Sequence, residues 1–540
     1  MINNKASQCN AALSHLLSKI EKSGRHAVSC HWHHRSASPR KQAIKHKGGK
    51  ELAKNYDVIV VGGGPGGLTC GALLSKWGFR TLLLEKNETT GGKAVTPTNK
   101  DGFSGELGPK LQVPAQGPSF AVAFKELGIE SELKPIPLGS AGLAYRGRSG
   151  KYKKATLPAT TGLEPGPFFE LWDLDDKDRE AALQFMIDMA MMPPDQLDAL
   201  DELSTEEWIT RFPDVPWPLY SYMSMHANAS LAEPIDLVST SEQLRIMQDI
   251  ALRGAAGYYV GGFGRVLDDL AKAMKANGGT IQTRTRAEKI KVDNGRVTGV
   301  ATGDDTFEAP IVIADVGIQP TVLKLVGENE FDKSYVNYVK GLVPGWAFTG
   351  VRYFLNKKVL EDQMYNIWAD DTTMNLERFS KMRAGETPDE VMMFATIPSN
   401  FDPNMAPPGK QCIVAGTICS PDPDAKEIEM LWGKMDEMWD KLYPGVMDAV
   451  MYKEMEGPAE ISKSTRDHVM KGQGGECVGL AQIAGQCGKH QPSPRSPIRG
   501  LFYTGADVGI PGMGTHKASG GGIKTARMVF QYQRLRQATL

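Results

Sequence analysis

Gly62, Gly64 and Gly67 punctuate the run Gly62-Gly63-Gly64-Pro65-Gly66-Gly67, and an acid, Glu85, follows 18 residues after Gly67. Glycines at this spacing can hold a dinucleotide. Gly62 allows a tight turn, Gly64 lets the backbone approach a pyrophosphate, and Gly67 lets the next helix pack closely on a sheet. With Pro65 and Gly66 the turn opens a helix whose N-terminal amides and dipole favour phosphate. Glu85 can accept both ribose hydroxyls and would repel a 2′-phosphate, which disfavours NADP. NAD and FAD both remain open on these residues alone.

The elements that must position these residues are legible around them. Asp57-Val58-Ile59-Val60-Val61 is short, apolar and β-branched, as expected of a strand buried on both faces. A helix is expected from Leu68 to about Trp77, ended by Gly78, and Thr81-Leu82-Leu83-Leu84 supplies the next strand before Glu85 and Lys86. Far downstream, Gly261-Gly262-Phe263-Gly264 precedes an amphipathic helix from Val266 to about Asn277, with Leu267, Leu270, Ala271 and Met274 on one face. A strand at Thr280-Ile281-Gln282 and a hairpin over 287–300, turning at Asn294-Gly295, follow. Near the C-terminus, Gly500 to Asp507 reads as a strand ending in glycine and acid. The glycine-rich stretch 509–520 comes next, then a helix through Thr525 to Gln531.

The stretch from Asp57 to Pro109, with Gly91-Gly92-Lys93, Gly102-Phe103 and Leu107-Gly108-Pro109, resembles the flavin fingerprint of the phytoene desaturase and amine oxidase superfamily. The resemblance implies FAD. It places Gly91 and Gly92 against the diphosphate and ribityl chain, and carries Gly108 and Pro109 beneath the flavin. Lys93 stands where arginine is usual, and Gly105-Glu106 where Phe-Asp is usual. By the same resemblance the backbone at Ala287 contacts the adenine. Gly505, Asp507, Gly514 and Thr515 belong to the C-terminal signature, with Asp507 holding ribityl or phosphate oxygens. His516 is the candidate catalytic side chain, against a capping or packing role, and Lys110 and Lys517 read as solvated or phosphate-side charges. Gln482 or Gln486 would approach the substrate end of the flavin. The implied fold is α/β (α+β): a Rossmann-type FAD-binding domain from 55–140, 255–325 and 476–535, and an inserted mixed sheet-and-helix substrate domain from 141–254 and 326–475.

No second strand–GxGxxG–helix unit for a nicotinamide is present, nor a Ser-His-Asp or metal-ligand pattern, so the chemistry is assigned to the flavin. The resemblance implies hydride transfer at flavin N5 on a C–C bond of a small apolar, carotenoid-, prenyl- or lipid-like substrate. Quinone or oxygen is the electron acceptor where one is needed. Rival readings are an amine oxidase of the same fold and a flavin-free prenyl-protein escort. Met186, Met189, Met191 and Met192, followed by Trp208, Phe212, Trp217, Tyr220, Tyr222, Met223 and Met225, suit either an adaptable apolar cavity or a helical core. Asp175-Asp176 read as solvated surface, and Cys412 and Cys419 as small buried residues.

Composition sets the outer limits. The 540 residues carry 62 Lys and Arg against 63 Asp and Glu. This near-neutral balance argues against a nucleic-acid partner. No run of apolar residues is long enough for a transmembrane helix, so a membrane surface is the expected lipid contact. Seven cysteines without CxxC spacing exclude a disulfide scaffold and a structural zinc module. Residues 1–54 form a basic tail rich in histidine and serine, read as disordered rather than metal-binding. Leu13, Leu16, Leu17 and Ile20 on one helical face make it a candidate organelle-targeting segment (mitochondrion or plastid).

Overall fold

Val58–Val61 is buried at every position and forms the middle strand of a five-stranded parallel sheet. The order is Leu501–Tyr503, Val312–Ala314, Val58–Val61, Thr81–Leu84, Thr280–Gln282. Strand alternation sends Val58 and Val60 to one face and Ile59 and Val61 to the other. The first pair packs with the helices Pro65–Lys76, Phe263–Ala276 and Gly514–Ala538. The second packs with Ile290, Val297, Val300 and Phe307 of a three-stranded antiparallel sheet. Both faces are therefore covered, which explains the unbroken apolar character of these strands. The computed structural model describes residues 55–538 except 113–117, 130–134, 138, 148, 159–164, 254–255 and 304. The basic tail, its helical face and its histidines lie outside the described residues.

A second, seven-stranded sheet runs in the order Val450–Glu456, Ala347–Leu355, Gln411–Cys419, Met393–Thr396, Met364–Ala369, Ser140–Arg146, Tyr152–Pro158. Its pairings are antiparallel except that of Met364–Ala369 with Ser140–Arg146. Ile413 and Ala415 pack in the same core as Leu431, Met435 and Trp439 of the helix Ile428–Leu442, while Cys412 and Val414 meet Phe103 and Phe354. Cys412 and Cys419 are fully buried. Met186, Met189, Trp208 and Met223 belong to the helical core of this half, whereas Tyr222 and Met225 reach a cavity wall. Asp175 is exposed and caps the helix Asp176–Met191 by accepting from the Asp178 amide. Residues from Ala53 to Leu540 make one compact unit that contains both sheets.

Three helix starts differ from the sequence expectation, and that of Phe263–Ala276 comes three residues before Val266. The first helix begins at Pro65 rather than Leu68, because proline at the first helical position needs no amide partner. The last begins at Gly514, inside the glycine-rich stretch 509–520 expected to precede it, and runs 25 residues through Gly520-Gly521-Gly522. Those glycines are required by contact: a Cβ at Gly521 would sit 2.4 Å from the Gly505 oxygen, and one at Gly522 2.5 Å from the Gly66 oxygen. The terminal helix thus lies directly against the glycine-turn helix, with Thr69 Oγ1 and Ser519 Oγ 3.0 Å apart.

Candidate functional site

A cavity of about 520 Å³ opens at the ends of the parallel strands and extends to the seven-stranded sheet. That volume falls among cofactor and ligand sites, which span roughly 300–1,000 Å³. Gly62, Gly64, Pro65, Glu85, Lys86, Gly92, Lys93, Gly108, Pro109 and Ala287 line it, as do Gly505, Asp507, Gly514, Thr515 and His516. Gly66, Gly67 and Gly91 stand behind the wall. A Cβ at Gly67 would lie 2.2 Å from the Gly62 oxygen, and one at Gly66 2.5 Å from Gly505 Cα. Gly91 takes a φ of +128° and its amide donates to the Gly63 oxygen at 2.7 Å. The amino-terminal and carboxy-terminal glycine turns, more than four hundred residues apart in sequence, are therefore in backbone contact.

Strand ends deliver the charges. Glu85, 6% exposed, accepts from the amides of Gly63 and Asn87 at 2.8 Å each, which fixes the carboxylate beside the glycine turn. Asp507 accepts from Arg466 and the Leu480 amide at 3.1 Å and from the Ile318 amide at 2.9 Å. Burial pushes its carboxyl up, but Arg466 and these amides outweigh burial and hold it below the usual carboxylate value. Asp507 is thus an anchored charge whose two oxygens are already engaged by protein groups. Lys93 donates to the Glu476 backbone oxygen. Burial, helped by Arg466, brings its amine down to about 8. Glu106, in the segment that departs from the usual Phe-Asp, is fully buried and takes Tyr258 OH, Thr96 Oγ1 and the Phe263 amide. It ties the segment before Gly108 and Pro109 to the start of the helix Phe263–Ala276.

Other sequence expectations change on this geometry. Lys517 is 3% exposed and its Nζ makes no hydrogen bond, so it is neither solvated nor part of the cavity wall. The helix that begins earlier than expected turns this side chain inward. Lys110 is half-buried in the cavity wall, where burial lowers its pKa. Gln482 and Gln486 stand behind the site: the first bonds the Gly512 oxygen and Glu242, the second Val343 and Ala481. His516 does line the cavity, in the first turn of the terminal helix, with Nδ1 2.7 Å from Ser119 Oγ. Sequence reasoning missed Asp315, Arg466 and His226, all in the cavity wall. Asp315 was within reach of it, because Val312-Ile313-Ala314-Asp315 repeats the strand-then-acid pattern of Thr81 to Glu85.

The residues present fit FAD. A helix N-terminus, an acid at the next strand end and a glycine cradle share one wall, and a Cβ at Gly108 or Gly514 would meet open space. The family model for flavin containing amine oxidoreductase matches residues 65–530. This chain belongs to that family. The flavoenzyme is therefore an FAD-dependent oxidoreductase. It is similar to the phytoene desaturase of Cercospora nicotianae, 26% identical over 392 residues, covering 67% of this chain and 60% of that protein. It is also similar to the chloroplastic prolycopene isomerase of Daucus carota, 24% identical over 528 residues, covering 88% and 80%. Among solved structures, an oxidoreductase from Methanosarcina mazei aligns with a TM-score of 0.67 at 20% identity, over 87% of this chain and 99% of that one. A putrescine oxidase aligns with a TM-score of 0.64 at 14% identity, over 88% and 99%. These two likenesses show the shared fold. No described helix of the flavoenzyme is long and apolar enough to cross a membrane.

Proposed function

We propose that the flavoenzyme desaturates, saturates or isomerises a C–C bond of a long apolar, carotenoid- or prenyl-like substrate. The observation that carries this reading is one continuous cavity. It joins the glycine turns to a sheet face of Ala141, Leu143, Leu157, Phe348, Met364 and Phe394. Bound FAD supplies hydride acceptance or donation at its N5. The chain's own residues do the rest. Glu85, Lys93 and the glycine amides bind and orient the dinucleotide, the apolar face holds the chain and excludes water, and His516, fixed by Ser119, presents a polar group where the two ends meet. The relatives named for phytoene and prolycopene support this substrate class.

Physical cost says where such an enzyme works. Drawing a twenty-carbon chain through water costs roughly 16 kcal/mol at about 0.8 per CH₂, whereas passage from a bilayer into an apolar cavity costs little. We therefore place the flavoenzyme at a membrane surface, with a quinone or oxygen as acceptor. The test is anaerobic bleaching of the flavin absorbance under a panel of prenyl lipids and carotenoids in vesicles, with amines as the contrast. Bleaching by a polyene or prenyl chain, with co-sedimentation on the vesicles, is the expected result. Bleaching by amines alone would overturn the reading in favour of amine oxidation.

A further inference from the structure

The apolar arm of the cavity contains two polar side chains that nothing pairs. His226 ends the helix Trp217–His226, is 6% exposed and lines the cavity, yet neither ring nitrogen has a hydrogen-bond partner. Burial takes its pKa down to about 4, so the ring is neutral and carries one donor and one acceptor. Asn366 lines the same cavity from the strand Met364–Ala369, and its buried Oδ1 also has no partner. Its register neighbours on either side are Leu143 and Phe394, both apolar. Tyr222, in the same cavity wall, packs near both His226 and the strand that carries Asn366. Its ring centroid is 6.4 Å from that of His226 and 6.3 Å from that of Trp368, the residue after Asn366 on the same strand face. Immediately after His226 the helix widens into a π-turn, Ala227–Leu231, a local form that recurs at functional sites.

We infer that the arm is built for a substrate with a neutral oxygen function at its buried end, an alcohol or carbonyl, and that His226 and Asn366 recognise that oxygen. The inference rests on the long apolar substrate proposed above and narrows it. Buried polar groups are almost always paired, and one left unpaired is costly. A pure hydrocarbon would leave both residues without partners. A hydroxyl can donate to Asn366 Oδ1 and accept from the imidazole N–H. A carbonyl can accept from the imidazole or, in the other rotamer, from the Asn366 amide. A neutral imidazole offers no full charge to a carboxylate or a phosphate. Sites that hydrogen-bond a hydroxyl discriminate strongly against the analogue lacking it, because the site's own groups are then stranded.

The experiment uses the FAD-loaded protein and a matched pair of probes, geranylgeraniol and the hydrocarbon of the same skeleton. Binding is read from perturbation of the flavin absorbance and from tryptophan quenching. The alcohol should bind about tenfold or more tightly than the hydrocarbon. Asn366→Leu and His226→Phe should abolish that preference, weakening the alcohol and strengthening the hydrocarbon, while His226→Gln retains part of it. Flavin absorbance reports that each variant is folded, and Asn366→Leu alone suffices should His226→Phe fail to hold FAD. Equal binding of the two probes, unchanged in the variants, would assign these groups to ordered water. That result would overturn the inference and leave the apolar-substrate reading standing. Binding of neither probe, with FAD in place, would overturn both.

Discussion

The two ends of the cavity are built by opposite rules. At the dinucleotide end three buried carboxylates are claimed: Glu85 by two amides, Asp507 by Arg466 and two amides, Glu106 by Tyr258, Thr96 and an amide. At the sheet end the wall is largely apolar, and two of its polar members, His226 and Asn366, are left open. A ligand common to a whole family of reactions can be met by rigid strand ends whose charges are neutralised in advance. A variable substrate is met by a smooth face with a few recognition atoms. The contrast predicts that substitutions at the first end cost folding or cofactor, and those at the second cost selectivity.

The largest effect should come from Arg466→Ala. It leaves Asp507, whose side chain is 1% exposed, with two amides but no counter-charge, while Arg466 itself is 13% exposed. Removing one partner of a buried pair typically costs 3–5 kcal/mol. Denaturant titration should show a loss of about that size, and a loss below about 1 kcal/mol would mean that the pair is solvated and the first half of the contrast is wrong. Next is Glu85→Ala. Hydrogen bonds to a charged group contribute about 1.5–3 kcal/mol, so FAD affinity should fall roughly ten- to a hundredfold while far-ultraviolet circular dichroism stays native. Stoichiometric flavin retained through purification and dialysis would remove Glu85 from the ribose-binding role.

The same contrast explains what the sequence disclosed. The strand Val58–Val61, the glycine turn and Thr81–Leu84 were legible because parallel strands buried on both faces read as short β-branched runs, and because the turn residues carry their own geometry. The hairpin at Asn294-Gly295 was legible for the same local reason, and both residues take positive φ. The start of the terminal helix was not legible. Gly520, Gly521 and Gly522 have the composition of a loop, and only the approach of the Gly66 and Gly505 backbones shows why a helix carries them. The seven-stranded sheet was equally hidden. Its parallel pairing of Met364–Ala369 with Ser140–Arg146 joins segments with no local signal for each other. The open state of His226 is a property of that assembly, since an unpaired imidazole is recognised only once the surrounding walls are in place.

The smallest effect, and the sharpest test of the charged end, concerns Asp315. Burial pushes its carboxyl up from 3.8 to about 7, with Glu85 and Asp507 adding to the rise and amide hydrogen bonds from Gly67 and Gly64 opposing it. The folded chain therefore binds a proton here between about pH 4 and about pH 7 that the unfolded chain has released. Stability from this group falls as pH rises through that window and levels off above it. The amides of Gly64 and Gly67 belong to the helix start to which the glycine motif assigns the diphosphate, so an ionised Asp315 and a phosphate compete for the same donors. FAD should consequently bind several-fold more weakly at about pH 8 than at about pH 6, with proton uptake on binding. Asp315→Asn keeps the shape, removes the charge and should flatten both profiles, with tighter FAD binding at the higher pH. If the variant keeps the parent slope in an FAD titration, the pH dependence arises elsewhere, and Asp315 belongs with the neutralised charges rather than beside the phosphate.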